Sequence, residues 1–482
     1  MGLKTPKEYV ESIESLELEA HVLGEKTSGL AAHPLVRPSL QAVAKTYECA
    51  QAEETKSLFR VRSSLCDEEV NRFTHLHRNT EDLVSKVVMQ RVCGNATGCC
   101  FQRCVGLDAA NAVFSVTYEC DREFGGNYHE CFRRYWGDVQ RQDLVVDGAM
   151  TDPKGDRGKR PKDQKDPDLY LRVVKRMSDG VVVRGAKLHQ TGMLNSHEIM
   201  VMPTLNMRPG EEDWAVCFSI PTNTPGVRYV YGRQTSDTRK LEGPGLDVGN
   251  PLFGGQEVMT VFEDVFVPRE RIFLDGETRY SGLLVERFAA YHRQSYGGCK
   301  VGVGDVLIGA TALIARMNGV ENASHVRDKI VEMIHLNETM YACGIACSAL
   351  GHATAAGNYE IDMLLANVCK LNVTRFPYEL ARLATDVAGG LLGTMPSAKD
   401  LEDPVAGPYI RKYLAAADGV DVVDRMKVLR LIENLVAGAG SVAYLIESMH
   451  GAGPPMAQRI MIARQADIEG KMGLVQRILG MG

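Results

Sequence analysis

A chain of 482 residues with 55 basic and 61 acidic side chains carries a net charge of −6, which excludes the basic excess of a general nucleic-acid binder. At about 150 residues per domain, this length builds roughly three domains with ample core, so small size does not explain the thirteen cysteines. Their odd number, in a chain with no secretory-type apolar core near its start and no run of 18 or more apolar residues, points to a cytoplasmic protein with reduced thiols. A few of those thiols are then metal ligands, and no membrane association is expected.

Residues 1–145 read as mostly helical. EYVESIESL, HPLVRPSLQAVAKTYECAQ, EEVNRFTHLHRNTEDLVSKVVMQRV and GLDAANAVFSVTYECDREFG space their apolar residues by three and four. Residues 146–280 change texture. After a Gly/Pro/Asp/Lys-rich loop, LYLRVVKRMSDGVVVRGAKL reads as a hairpin turning at Asp179-Gly180, and WAVCFSIP, VRYVYGRQ and EVMTVFEDVFVP continue a β section. Residues 281–482 return to helical periodicity, from LLVERFAAYHRQ to VDRMKVLRLIENLVAGAGSVAYLIESMH. Helices, a small β domain, then helices is an α+β order and argues against a doubly wound sheet.

Chemistry-bearing residues concentrate in YHRQSYGGCK, residues 291–300. His292 and Cys299 are seven apart and return to one helical face, although Gly297-Gly298 is expected to interrupt a helix there. Cys100 and Cys104 are four apart, a spacing that puts two sulfurs on one helix face. The same spacing at Cys343 and Cys347, in an apolar run, suits small buried hydrophobes equally well. Thiols together with an imidazole favour iron-sulfur or zinc over magnesium or calcium.

His189-Gln190-Thr191-Gly192 is a polar loop after a predicted strand, suited either to an isoalloxazine ring or to an ordinary turn. Met150 to Arg157 lacks the GK[ST] ending of a P-loop, and Gly302, Gly304 and Gly309 do not fit the dinucleotide fingerprint. Asp386 to Gly390 reads as a helix C-cap. Glu257 and Glu447 are carboxylates in apolar surroundings, placed either for acid–base work or on helix or strand surfaces.

CFQRCVG at 100–106, MTDPKGDRG at 150–158, HQTG at 189–192, FGGQE at 253–257, YHRQSYGGCKVGVGD at 291–305 and ESMHGAG at 447–453 together resemble the 4-hydroxybutyryl-CoA dehydratase (vinylacetyl-CoA isomerase) family over nearly the whole chain. The resemblance implies an acyl-CoA dehydrogenase-like fold: an N-terminal helical domain, a central β-barrel-like domain and a C-terminal helical bundle. It also implies a homotetramer, a dimer of dimers, with FAD at a subunit interface.

The same resemblance implies a 4Fe-4S cluster on Cys100, Cys104, Cys299 and His292. Active-site roles are implied for His292, Tyr296, Glu447, Glu257 and Lys300. Flavin contacts are implied for Met150, Thr151, Asp152, Pro153, Lys154, Gly155, Asp156 and Arg157, for His189, Gln190 and Thr191, and for Asp386, Gly389 and Gly390. The implied reaction is a radical dehydration of a CoA thioester, 4-hydroxybutyryl-CoA, to crotonyl-CoA, with vinylacetyl-CoA isomerisation beside it. The thioester acidifies only C2–H; transient one-electron oxidation by flavin would acidify C3–H, with His292 as the C2 base. The rival reading is a flavin-dependent aromatic hydroxylase of the 4-hydroxyphenylacetate monooxygenase type, without a cluster. Two departures from the family pattern are a shorter segment around Asp400 to Val420 and Pro454 before Pro455.

Overall fold

The computed structural model describes residues 2–243 and 245–481. Its first helix, α1 (Pro6–Glu14), starts where Thr5 and Glu8 cap each other reciprocally and Pro6 fixes the first turn. Strands β1 (Ala20–Val22) and β2 (Glu25–Thr27) follow, then α2 (Arg37–Gln51), α3 (Lys56–Phe59), β3 (Arg60–Arg62), β4 (Glu69–Asn71), α4 (Thr80–Thr97), α5 (Cys104–Phe124) and α6 (Tyr128–Arg141). The mostly helical expectation for residues 1–145 therefore misses β1 and β2, which leave the helices and join the sheet of the next domain, His21 pairing with Val230.

The β section comprises β5 (Val146–Ala149), β6 (Arg172–Arg176), β7 (Gly180–Thr191), β8 (Glu198–Val201), β9 (Val216–Pro221), β10 (Val227–Gly232), β11 (Glu257–Pro268) and β12 (Ile272–Asp275). These strands form two sheets, β2-β1-β10-β11-β7-β6 and β12-β9-β8-β5, so the expected barrel-like domain is an open two-sheet arrangement. Inward residues alternate along the long strands: Val181 and Val183 of β7 and Val258 and Phe262 of β11 share one core with Ile199, Val201, Phe218 and Ile220 of the smaller sheet.

The C-terminal part contains α7 (Thr278–Met317), α8 (Ser324–Ala349), a small hairpin β13 (His352–Ala353) and β14 (Tyr359–Glu360), then α9 (Met363–Val373), α10 (Phe376–Ala388), α11 (Ala398–Glu402), α12 (Ala406–Tyr413), α13 (Val422–Val436), α14 (Glu447–His450), α15 (Pro455–Gln465) and α16 (Ile468–Leu479). α7 is the axis of the molecule: 40 residues, roughly 60 Å at the helical rise, in contact with α4, α5, α8, α9, α10 and α13. One 18-residue window of it has a mean hydropathy of 1.5 and meets the length and composition of a membrane span, yet 61% of that window is buried within the fold.

Gly297-Gly298 does not interrupt α7, contrary to the sequence expectation. The glycines serve close approach. A Cβ on Gly298 would sit 2.4 Å from the carbonyl oxygen of Val87, and one on Gly302 2.4 Å from that of Arg91. Both contacts are with α4, so the missing side chains let the α4 backbone lie directly against α7. That approach brings the chain leaving α4, where Cys100 lies, to the side of α7 that carries Cys299.

Candidate active site

The middle of α7 presents His292, Tyr296, Cys299 and Lys300, spaced at one and two helical turns and so on one face. Facing them is the link between α4 and α5. α4 stops at Gly98, in the left-handed region at φ 60°, and α5 begins at Cys104. Cys100 is thus on an irregular loop and not on a helix with Cys104, which corrects the one-turn reading of that spacing. Gln102, itself at φ 61°, pins the loop: its side-chain amide donates to the carbonyls of Gly254 at 3.2 Å and Cys100 at 3.3 Å and accepts from Asn195 at 3.0 Å.

Cys100, Cys104 and Cys299 gather at this junction as free, mostly buried thiols. The hydrogen bond that the Cys104 thiol donates to Cys299, then burial and the nearby thiol groups, push Cys104 well above its ordinary range. For Cys299 burial acts upward, but the Cys104 hydrogen bond and the Lys300 charge outweigh it and favour the thiolate. One sulfur charge is therefore stabilised here, and further thiolates need a cationic partner. Among the described residues no three His, Cys, Asp or Glu side chains converge as ligands of a single ion. A four-iron cluster takes one protein ligand per iron and needs no such convergence. Phe73, Phe101, Met89 and Val301 form an apolar wall around the sulfurs.

His292 stands on the same face of α7 as Cys299. Its Nδ1 lies 2.8 Å from Asp108 Oδ2, and a carboxylate only accepts, so Nδ1 carries a proton and donates it to this bond, while Nε2 points away from Asp108. The ring stacks on Phe288 and meets Tyr296 edge-on at 4.9 Å. Tyr296 is 3% exposed. Burial, then Glu447 and the three thiols, raise its phenol well above the usual range, so it is a proton donor throughout the working pH. A Cβ on Gly451 would come within 2.0 Å of the Tyr296 hydroxyl, so this position requires glycine.

Lys300, 3% exposed, donates to Glu447 Oε2 at 2.6 Å and to the Ala443 carbonyl at 2.5 Å. Ala443 lies in the π-helical turn Val442–Ile446 that delivers Glu447, a widened turn of the kind found at functional sites. Among the described residues, the second oxygen of Glu447, Oε1, is buried with no partner but the neighbouring Glu257 carboxyl. Glu257 approaches from β11, where it pairs across the sheet with Thr191 of β7 and accepts the Thr191 hydroxyl at 2.8 Å. Burial, and after it the charge of Glu447, raise Glu257 well above the carboxylate range. The set is a lysine cation, one carboxylate and one neutral carboxylic acid. Because Glu257 is neutral when folded, Glu257→Gln should keep fold stability within about 0.5 kcal/mol. It should lower turnover by about a hundredfold or more, as loss of a proton donor does. Urea unfolding alongside turnover checks this.

The two stretches proposed for flavin lie side by side. Leu188 N donates to the Thr151 carbonyl at 2.7 Å, and Lys187 Nζ donates to the Met150 carbonyl at 2.9 Å. Lys187 also pairs with Asp152 at 2.8 Å, both buried, so Asp152 shapes the loop from within. Lys154 to Arg157 and His189 are exposed, with His189 at φ 58°. Asp386 lies elsewhere in the chain: it is on α10, whose main partners include α7, α8 and α13, and pairs with Lys329 at 2.7 Å. Gly389, at φ 78°, caps α10 as the sequence suggests. Cys347 is buried and bonded to the Gly344 carbonyl, the small-hydrophobe role. Pro455 occupies the first turn of α15.

Sequence reasoning missed Asp108, Lys86, Ser295 and Lys370. Lys370 lies 4.3 Å above the Tyr296 ring and donates to the Ser448 carbonyl at 2.5 Å. Burial and then the charges of Lys300 and Arg293 hold it well below the usual lysine range. Asp108 and Lys86 stand in apolar helical runs, GLDAANAV and LVSKVVM, the same signal that singled out Glu257 and Glu447.

Comparison with known proteins identifies the family of the chain. The chain matches the family models for the 4-hydroxyphenylacetate 3-hydroxylase N terminal over residues 5–274 and C terminal over residues 281–480. It is 55% identical, over 99% of its length and 100% of the relative's, to the 4-hydroxybutyryl-CoA dehydratase/vinylacetyl-CoA-Delta-isomerase of Clostridium aminobutyricum. It is 26% identical to the 4-hydroxyphenylacetate 3-monooxygenase oxygenase component of Thermus thermophilus, over 92% of this chain and 91% of that one. Among solved structures, an oxygen-tolerant archaeal 4-hydroxybutyryl-CoA dehydratase from N. maritimus superposes with a TM-score of 0.98 at 50% identity, covering 100% of this chain and 96% of that one. An FAD complex of the oxygenase component of 4-hydroxyphenylacetate 3-monooxygenase shares the fold with a TM-score of 0.85 at 21% identity, covering 99% of this chain and 98% of that one.

Proposed function

The chain belongs to the 4-hydroxyphenylacetate 3-hydroxylase family and, within it, to the 4-hydroxybutyryl-CoA dehydratase/vinylacetyl-CoA-Delta-isomerases, and we propose from that membership that it dehydrates 4-hydroxybutyryl-CoA to crotonyl-CoA and isomerises vinylacetyl-CoA. The observation that supports this reading is the neighbourhood of Cys100, Cys104 and Cys299, with His292 on the same face of α7 as Cys299, beside a Lys300–Glu447–Glu257 proton-transfer set. An aromatic hydroxylase reaction asks for no such thiol cluster.

Cys100, Cys104, Cys299 and His292 would hold a 4Fe-4S cluster, and Met150–Arg157 with His189–Thr191 would hold FAD, on an acyl-CoA dehydrogenase-like scaffold. When bound, the cluster supplies a Lewis-acidic iron and the flavin a store for electrons and hydrogen. The residues do the rest. The C2 proton of the thioester is the acidic one, and Nε2 of His292 would be the base that takes it whenever that nitrogen is not holding iron. The resulting positive imidazolium is held by the Asp108 carboxylate. Tyr296, protonated throughout, hydrogen-bonds the substrate or the departing hydroxyl. Glu257 gives a proton and Glu447, fixed by Lys300, takes one, so the pair can return a proton to the product carbon without bulk water. The apolar walls around the sulfurs keep water away from the reacting carbons.

A homotetramer, a dimer of dimers, goes with this reading. α16 leaves Ile468, Met472, Val475, Ile478 and Leu479 half or more exposed, an apolar face suited to a second copy. Asp386–Gly390 would reach a flavin only as a contribution from such a copy. All thirteen cysteines are free, the state a reducing cytoplasm maintains. Turnover decides the function. Anaerobic protein given 4-hydroxybutyryl-CoA should form crotonyl-CoA. Hydroxylation of 4-hydroxyphenylacetate with reduced flavin and oxygen, and no crotonyl-CoA, would overturn the reading.

A further inference from the structure

Behind His292 lies a fully buried charge pair, Asp108 with Lys86, that does not touch the substrate. Asp108 on α5 and Lys86 on α4 both have 0% exposure. Asp108 Oδ2 takes His292 Nδ1 at 2.8 Å and the Ser295 hydroxyl at 2.9 Å. Oδ1 faces the Lys86 ammonium as a close ion pair. The ammonium's aligned hydrogen bonds go instead to the Tyr291 carbonyl at 3.1 Å and Gln294 Oε1 at 2.9 Å, both on α7. Ser295 is held in turn by Gln90 at 3.0 Å.

We propose that Asp108, clamped by Lys86 and Ser295, is a positioning residue that fixes the His292 imidazole as its Nδ1–H tautomer with Nε2 aimed at the iron-sulfur site; this rests on the cluster assignment above. The logic is one of donors and acceptors. Every group around the Asp108 carboxylate is a donor, so only an ion that accepts on both oxygens satisfies them, and the imidazole must offer Nδ1–H. A side chain packed for shape alone would not select a tautomer. Asp108→Asn breaks the pattern at one atom. Its carbonyl oxygen must face the Lys86 ammonium, because an amide NH2 there would oppose it. The NH2 then faces His292 Nδ1 and makes it an acceptor, so the ring proton moves to Nε2 and that nitrogen can no longer ligate iron.

The test uses the full chain purified anaerobically. Iron, acid-labile sulfide, flavin and the EPR spectrum are measured for wild type, Asp108→Asn, His292→Cys and the double variant. The proposal expects Asp108→Asn to keep flavin and sulfide, to fall from about four irons per chain to about three, and to show a three-iron EPR signal. In the His292→Cys background the Asp108→Asn change should do nothing further, because a thiolate ligand has no tautomer to fix. Wild-type iron and spectra in Asp108→Asn would overturn the proposal, and so would equal damage in both backgrounds, which marks a merely structural role. Where Asp108→Asn does not fold, wild-type protein carrying histidine labelled with 15N at one ring position decides. Strong hyperfine coupling of the reduced cluster to the ε2 label supports the proposal, and coupling to the δ1 label overturns it. Wild type without iron or sulfide would instead sink the cluster assignment beneath it.

Discussion

His292→Cys should retain a four-iron cluster and lose 4-hydroxybutyryl-CoA dehydration by about a thousandfold or more. Cysteine is the commonest ligand of such clusters, so the iron at this corner stays bound, on a shorter side chain and a stronger bond. What disappears is the only imidazole on this face of α7, and with it the Nε2 base, whose removal alone costs about 10²–10⁴ in rate. The thiolate also places a second negative charge toward Asp108, which has lost its Nδ1–H partner. Iron and sulfide content with crotonyl-CoA formation check both halves. Near-normal turnover would remove His292 as the base, and loss of iron would show that the pocket accepts only imidazole.

Lys300→Met should damage stability and turnover together. The ammonium is 3% exposed and neutralises Glu447 at 2.6 Å, while Glu257 crowds the same carboxylate. Burial opposes its charge, but Glu447, then Cys299 and Cys100, hold its pKa above the ordinary lysine value, so it is a cation at every working pH. Methionine fills the volume but strands Glu447 and the Ala443 carbonyl. Breaking a buried pair on one side costs about 3–5 kcal/mol, which should appear as a lower urea midpoint and a shorter half-life on heating. Turnover should fall by about a hundredfold or more, since Glu447 loses the partner that fixes it. Lys300→Arg should restore much of the stability. An unchanged urea midpoint for Lys300→Met would show that the pair is not the junction's electrostatic anchor.

The layering of the chain was legible from periodicity. Spacings of three and four mark α2, α4, α5 and the long C-terminal helices, and the Asp179-Gly180 turn marks the β6–β7 hairpin, because local propensity and burial agree there. Failures came where tertiary contact overrides local preference. Gly297-Gly298 looked like a break, but tight packing of α4 and α8 on α7 holds a continuous helix through both glycines. The four-residue spacing of Cys100 and Cys104 looked helical, but Gly98 ends α4 and Gln102 adopts a left-handed turn, so the two sulfurs come from a loop and a helix start. β1 and β2 are three residues each, too short to show an alternation. His292, Tyr296, Cys299 and Lys300 were readable as one face because a helix repeats. Asp108 and Lys86 were not, since their meaning depends on α4 and α5 both packing against α7, a relation no local spacing encodes.

The central claim is that Cys100, Cys104, Cys299 and His292 hold one iron-sulfur cluster. Iron and acid-labile sulfide per chain, measured on anaerobically purified wild type and Cys104→Ala side by side, test it most directly. Wild type should contain about four of each, and Cys104→Ala should fall well short of that complement. A wild type with flavin but no iron, or a Cys104→Ala variant with a full complement of both, would contradict it.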